Sequence, residues 1–312
     1  MTAPVVRVLI GPTASGKSAV ALAAAERLGA EIISADSMKV YRGLDIGTAK
    51  PSAAERRRVP HHLIDILDPS ESYDAARFAA DCDAAMRDIA SRGRPVVIEG
   101  GTALYLKAWL DGLFEGPERD DEIRRRLRAE ADEKGRAYLH RRLAGVDPEA
   151  AERIHPNDYR RIERALEVHE ITGRPISELQ REAAAGRPGP GARVAGLRVP
   201  RERLYTRIDE RADAMMAAGL LEEAKALAAR EEPLSKEAAS ALGYAELFAH
   251  LRGEHDLDEA VRLIKRNTRR FARKQMTWFR RFEGVAWVEP AEGEAAEAVA
   301  GRVIAAWEGA GE

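Results

Sequence analysis

Cysteine, net charge and long apolar runs are all scarce in this chain, and each scarcity excludes something. The single cysteine, Cys82, rules out an intrachain disulfide and fits a reducing, cytoplasmic setting. Cys82 lies on an alanine-rich helical stretch between Asp81 and Asp83 and reads as a packing residue. No apolar stretch in the sequence approaches the roughly 18 residues that a membrane helix needs, so no span is expected. Met1-Thr2-Ala3-Pro4 leads straight into an apolar strand, without a basic-then-apolar leader. His61, His62, His140, His155 and His169 lack zinc-ligand spacing with cysteines. No internal repeat, exposed heptad or broad apolar patch stands out, which favours a monomer.

The formal net charge of -2 argues against a nucleic-acid binder on average, but the charge is segregated. From Val261 to Phe282 nine residues are Lys or Arg and none is acidic. With 45% hydrophobic and 33% charged residues over 312 positions, the composition is that of a globular enzyme of one large or two ordinary domains.

The first third alternates strands and helices. Val5 to Ile10, Glu31 to Ser34 and Pro95 to Glu99 read as buried strands, and Ser18 to Leu28 and 75–92 as helices, the latter amphipathic through Phe78, Met86 and Ile89. This pattern predicts an α/β fold with a parallel sheet flanked by helices, and Gly11 to Ser18 after the first strand make it P-loop NTPase-like. From Asp120 to about Gln180 the pattern is nearly all helical, which predicts a mostly helical insertion domain at 115–191 within a core of 1–114 and 192–312. Gly186 to Gly191, "GRPGPG", reads as a connector. Val194 to Val199 reads as a returning strand, followed by helices at about 207–229, 237–251 and 258–281.

The strand at 5–10 runs into Gly11-Pro12-Thr13-Ala14-Ser15-Gly16-Lys17-Ser18, a P-loop in the strand–loop–helix context that confirms it. Its backbone N–H groups would cradle a phosphate at a helix N-terminus, Lys17 would reach the terminal phosphate, and Ser18 would ligate Mg²⁺. The second strand delivers Asp36 to the sheet edge where ligands bind in open α/β folds. There a carboxylate can hold a metal or take a proton, or it can simply cap the next turn. Gly100-Gly101-Thr102 ends the 95–99 strand beside it, either as a close backbone approach to a ligand or as a plain tight turn. Along 261–282, Ile264, Phe271, Trp278 and Phe282 recur at helical spacing and are expected in the core. The arginines on the other faces are expected to meet RNA phosphates, because so many like charges without an acid repel one another. The arginines of the insertion, Arg124 to Arg126, Arg128, Arg141 and Arg142, read mainly as a solvated surface with acidic i,i+4 neighbours.

Six blocks together carry a resemblance: GPTASGKS, ISADSMKVYRGLDIGTAKP (Ile33 to Pro51), HHLIDI (His61 to Ile66), GGTALY (Gly100 to Tyr105), IHPNDYRRIERALEV (Ile154 to Val168) and NTRRFARKQMTWFRR (Asn267 to Arg281). In this order, over almost the whole chain, they resemble the bacterial tRNA dimethylallyltransferases. The resemblance implies a prenyl transfer from dimethylallyl diphosphate to N6 of adenosine at tRNA position 37, with Mg²⁺ and the P-loop on the diphosphate. It implies Asp36 as general base and Thr102 near the reacting groups, with Lys17 beside them. It further implies contacts to the tRNA anticodon stem-loop from Asp36, Ser37, Met38, Lys39, Arg124, Arg160, Arg161, Arg164, Gly243, Tyr244, Arg273, Lys274, Gln275, Trp278 and Arg280. The chain departs from the family's usual pattern at Lys39, where Gln is usual, and at Ala245, where Lys or Arg is usual. A P-loop small-molecule kinase, a prenyltransferase of free adenine nucleotides and a non-enzymatic RNA-binding protein are the rival readings. The first two leave the basic helix unused, and the third leaves the P-loop unused.

Overall fold

The computed structural model describes residues 6–112, 116–185 and 191–309. The chain divides into two compact units, 1–110 with 190–312 and, inserted between them, 111–189. The first unit begins with β1 (Val6–Ile10), α1 (Lys17–Leu28), β2 (Glu31–Ala35), α2 (Ala53–Arg58), β3 (His61–His62), α3 (Ala75–Ser91), β4 (Val96–Gly100) and α4 (Ala103–Asp111). The insertion holds α5 (Asp121–Lys134), α6 (Arg136–Val146), α7 (Pro148–Arg153), α8 (Tyr159–Thr172) and α9 (Ile176–Ala185). The chain then returns through β5 (Ala192–Leu197), α10 (Arg201–Ala217), α11 (Leu220–Ala228), α12 (Lys236–Ala239), α13 (Tyr244–Leu251), α14 (Leu257–Phe279), β6 (Ala286–Val288) and α15 (Ala296–Gly309).

The strands form one parallel sheet in the order β3-β2-β4-β1-β5-β6. Branched aliphatic side chains make β1, β2 and β4 buried almost throughout, as a sheet covered on both faces requires. On one face α1 and α15 close a core that includes Leu9, Ile32, Val97, Leu197 and Trp307. The Trp307 indole N–H reaches the Val8 carbonyl at 3.1 Å. Because β4 lies between β2 and β1, the ends of all three strands meet at one edge. A Cβ at Gly100 would sit 2.1 Å from the Ala35 carbonyl oxygen, so this approach of β4 to β2 admits no side chain there.

Several expected boundaries move, for local reasons. The returning strand ends at Leu197 rather than Val199, and Pro200 precedes a helix that starts at Arg201. The helix expected over 207–229 is two helices parted at Gly219, where φ is +100°, and 237–251 is likewise parted at Gly243, with φ +93°. The connector Gly186 to Gly191 falls largely outside the described residues, at 186–190. Cys82 is buried.

In the inserted unit Leu127, Leu139, Leu143, Ile162 and Leu166 pack one core. Its arginines are paired differently from the i,i+4 pattern expected. Arg124, Arg126 and Arg128 on α5 reach across to Glu167, Glu170 and Glu163 on α8. Glu167 is fully buried and accepts from Arg124 at 2.8 and 2.9 Å, from Arg164 at 2.6 Å and from the Asp120 N–H at 2.9 Å. Burial pushes its pKa up, but Arg124 and Arg164 outweigh burial and hold it at about 2, below the ordinary 4.5. The pairing therefore stabilises the unit fully above about pH 4.5 and is lost as the pH falls through about 2. Glu167→Gln is expected to destabilise the insertion by about 3 kcal/mol, because two guanidinium groups lose their buried partner. Chemical denaturation at neutral pH checks this; an unchanged midpoint would mean the arginines find water instead.

Candidate active site

The P-loop joins β1 to α1. Its reversal is made by the Ser15 N–H donating to the Pro12 carbonyl at 3.2 Å and by left-handed backbone at Ala14 and Gly16, with φ +61° and +87°. Lys17, which opens α1, is 9% exposed, and its ammonium lies 3.5 Å from where a Cβ on Gly101 would be. Burial lowers the Lys17 pKa, against the raising charges of Glu99 and Asp36. The loop is braced from the far end of the chain. The Thr13 N–H donates to Gln275 Oε1, and Gln275 Nε2 donates to the Gly101 carbonyl, both at 2.8 Å.

Asp36 follows β2. Its Oδ1 accepts from the N–H groups of Met38, at 2.9 Å, and Lys39, at 3.3 Å, so the carboxylate does cap the next turn. No hydrogen bond from a described residue reaches Oδ2, and Asp36 lines the cavity. Thr102 Oγ1 accepts from the Ser37 N–H at 3.0 Å and faces the same cavity. The two sheet-edge turns thus hold each other in register.

Those groups line one cavity of about 480 Å³. Its polar part comprises Thr13, Gly16, Lys17, Ser18, Asp36, Ser37, Lys39 and Thr102, and its apolar part Ile208, Ala212, Met215, Leu220, Leu242, Ile264 and Phe271. A single site therefore offers anion-binding groups and a hydrocarbon wall, which is what a ligand with a charged head and an apolar tail requires. Met38, Gly243 and Gln275 also line it.

Three charged residues at or beside the cavity were not singled out from the sequence: Glu99, Arg211 and Glu237, the last on α12 and accepting from Ser72 Oγ at 3.2 Å. Glu99, near the end of β4, is buried, accepts from Ser18 Oγ at 3.0 Å and pairs with Lys39 Nζ at 3.1 Å. Burial pushes Glu99 up, yet Lys39 and Lys17 outweigh it and hold the carboxyl at about 2. An acid closing the apolar run Val-Val-Ile was a usable signal, since such residues are seldom buried without a task or a partner. Arg211 on α10 lines the cavity and makes no hydrogen bond or ion pair with a described residue. Burial lowers its pKa, against the charges of Asp36 and Glu99. Nothing local marks it among the arginines of that helix.

Four residues expected to face tRNA are held differently. Lys39 is buried in its ion pair with Glu99. Tyr244 is fully buried, its hydroxyl donating to Glu223 at 2.5 Å and accepting from the Gly47 N–H at 3.1 Å. Gln275 braces the P-loop, and Arg124 is tied to Glu167. On α14, Arg270, Arg273, Lys274 and, just beyond, Arg280 are exposed, while Trp278 is half-buried with Arg281 over its ring. The expected mutual repulsion along this helix is partly relieved: Arg262 pairs with Glu259, Lys265 with Asp213 and Arg269 with Asp209. The aromatic that fills the core is Phe279, whereas Phe271 is 40% exposed and lines the cavity. In the inserted unit Arg160 is exposed, Arg161 pairs with Asp158 at 3.3 Å, and Arg164 with Glu167.

Residues 39–282 match the model of the IPP transferase family. The chain is similar to the tRNA dimethylallyltransferase of Geobacter metallireducens, 53% identical over 279 residues covering 89% of this chain and 90% of that protein. It is similar also to that of Anaeromyxobacter dehalogenans, 55% identical over 280 residues covering 90% and 93%. Among solved structures it resembles the full-length tRNA isopentenylpyrophosphate transferase of Bacillus halodurans, with a TM-score of 0.71, 39% identity and coverage of 98% of this chain and 97% of that one. It also resembles a eukaryotic dimethylallyltransferase acting on tRNA, with a TM-score of 0.75, 28% identity and coverage of 92% and 74%.

Proposed function

The chain belongs to the IPP transferase family, and from that we propose that it moves the dimethylallyl group of dimethylallyl diphosphate onto N6 of adenosine at tRNA position 37, beside the anticodon, releasing diphosphate. It is a transferase whose acceptor is tRNA. The observation that carries the donor assignment is the single cavity with a P-loop at one part and an apolar wall at the other. A small-molecule kinase leaves the basic helix α14 without a task, and a simple RNA-binding protein leaves the P-loop without one.

An exocyclic adenine amine is a weak nucleophile, because its lone pair is delocalised into the ring. The leaving diphosphate must therefore take up charge early, and groups that stabilise it lower the barrier. Lys17, Arg211 and the loop N–H groups are the ones placed for this. Asp36, through Oδ2, is the base that removes the N6 proton. The residues present also fit Mg²⁺: Ser18 Oγ and the Glu99 carboxylate are hard oxygen donors beside the P-loop, and Glu99 Oε2 is buried without a hydrogen-bond partner. When bound, the ion would add charge neutralisation at the diphosphate. The acceptor base has to leave its stack to reach this depth. The exposed basic residues Arg273, Lys274 and Arg280 on and just after α14, with Arg160 and Arg161 of the insertion, are suited to the phosphates of the anticodon stem-loop. No described helix is long and apolar enough to cross a membrane, and the enzyme is proposed to act as a monomer in the cytoplasm.

The test uses purified protein, Mg²⁺, labelled dimethylallyl diphosphate and unmodified bacterial tRNA, with ATP and AMP as parallel acceptors. Label is expected in tRNA alone. Label in the free nucleotides alone would identify a small-molecule prenyltransferase, and phosphate release from ATP without prenyl transfer would reopen the kinase reading.

A further inference from the structure

The Lys39–Glu99 pair is a buried ion pair beside the cavity, which Lys39 lines, with Lys39 and Glu99 each no more than 5% exposed. Such pairs cost desolvation energy and are seldom worth it for stability alone. The turn that Asp36 caps, through the Met38 and Lys39 N–H groups, carries Lys39 to a position where its ammonium meets Glu99. Its ammonium and the Ser18 hydroxyl share one oxygen, Glu99 Oε1. Lys17, Asp36 and Arg211 line the same cavity as Lys39. Glu99 thus stands behind Lys39 and Ser18, next to where the loop would cradle a phosphate, and Lys39 is the cation that offsets it at contact distance.

Without Lys39 the Glu99 carboxylate beside the loop loses its paired cation, and an incoming anion would depend on a divalent ion to offset it. We infer that Lys39 is a built-in counter-cation of the diphosphate site, offsetting Glu99 so that the P-loop binds a diphosphate group before any metal arrives. The inference rests on the P-loop being the diphosphate site, as proposed above. Lys39 acts through Glu99 and the field at the loop, so it is a positioning residue.

The test is calorimetric binding of inorganic pyrophosphate to the full-length protein in chelator and again in Mg²⁺, at constant pH and ionic strength. The native protein, Lys39→Gln, Glu99→Gln and the double variant are compared. In chelator, Lys39→Gln is expected to bind at least about tenfold more weakly, since one unit charge near the anion is removed from a site of low effective dielectric. Glu99→Gln is expected to bind more tightly than the native protein, and the double variant, which restores the net charge with a neutral pair, is expected to return close to it. That return excludes a mere folding defect in the single variant. Equal affinities of the native protein and Lys39→Gln in chelator would overturn the inference, as would native binding that requires Mg²⁺. Failure of the native protein to bind with or without Mg²⁺ would overturn the P-loop reading as well.

Discussion

Asp36→Asn is expected to lower the rate of prenyl transfer to tRNA by about 10²- to 10⁴-fold, the usual range for a positioned general base. The substitution is chosen because it separates the two tasks of this side chain. Oδ1 caps the turn through the N–H groups of Met38 and Lys39, and an amide oxygen can still accept both. The oxygen left without a described partner is the one assigned to the N6 proton, and an amide nitrogen cannot take it. The defect should therefore fall on kcat, with KM for tRNA little changed and KM for dimethylallyl diphosphate unchanged or lower, because a negative charge beside the diphosphate site is removed. Single-turnover kinetics with labelled donor makes the measurement. A rise in KM with kcat intact would return Asp36 to a capping and RNA-positioning role and leave the base unassigned.

Lys17→Met should be comparably damaging, by a different route. Methionine keeps the unbranched shape and removes the charge. Lys17 is the first residue of α1, and its ammonium is buried at the P-loop beside Gly101. Its loss removes a fixed cation from the point where negative charge accumulates as the allylic C–O bond breaks. A fall in kcat/KM of about 10³-fold is expected, the scale seen when one preorganised donor to a developing anion is removed. Ground-state binding of the donor should weaken too, so both kcat and KM for dimethylallyl diphosphate change, while KM for tRNA does not. A variant with normal donor kinetics and impaired tRNA binding would place Lys17 on the wrong substrate. Arg211 shares this task from α10, and its guanidinium is too far along the chain from Lys17 for either to be inferred from the other.

The chemistry of the site was largely legible in the linear order of residues. GPTASGKS between a branched-aliphatic strand and an alanine-rich helix dictates an anion cradle, because loop glycines and a helix N-terminus act through local backbone geometry. Asp36 and Gly100-Gly101-Thr102 could be placed at one sheet edge for a similar reason: they end buried strands of a parallel sheet. What tertiary structure alone decided is which charges meet. Lys39 was readable as a turn residue exposed to RNA, yet it is turned inward, because Glu99 stands on the neighbouring strand 60 residues away. Gln275 was readable as part of a basic RNA-facing block, yet α14 packs so that its amide ties Thr13 to Gly101. Phe271 and Phe279 both fit the helical period of α14, and only the neighbours of that helix decide that Phe279 fills the core while Phe271 walls the cavity. Backbone-driven features are short-range and so are written in sequence. The pairing of buried charges is set by strand order and helix packing, which no local run of residues encodes.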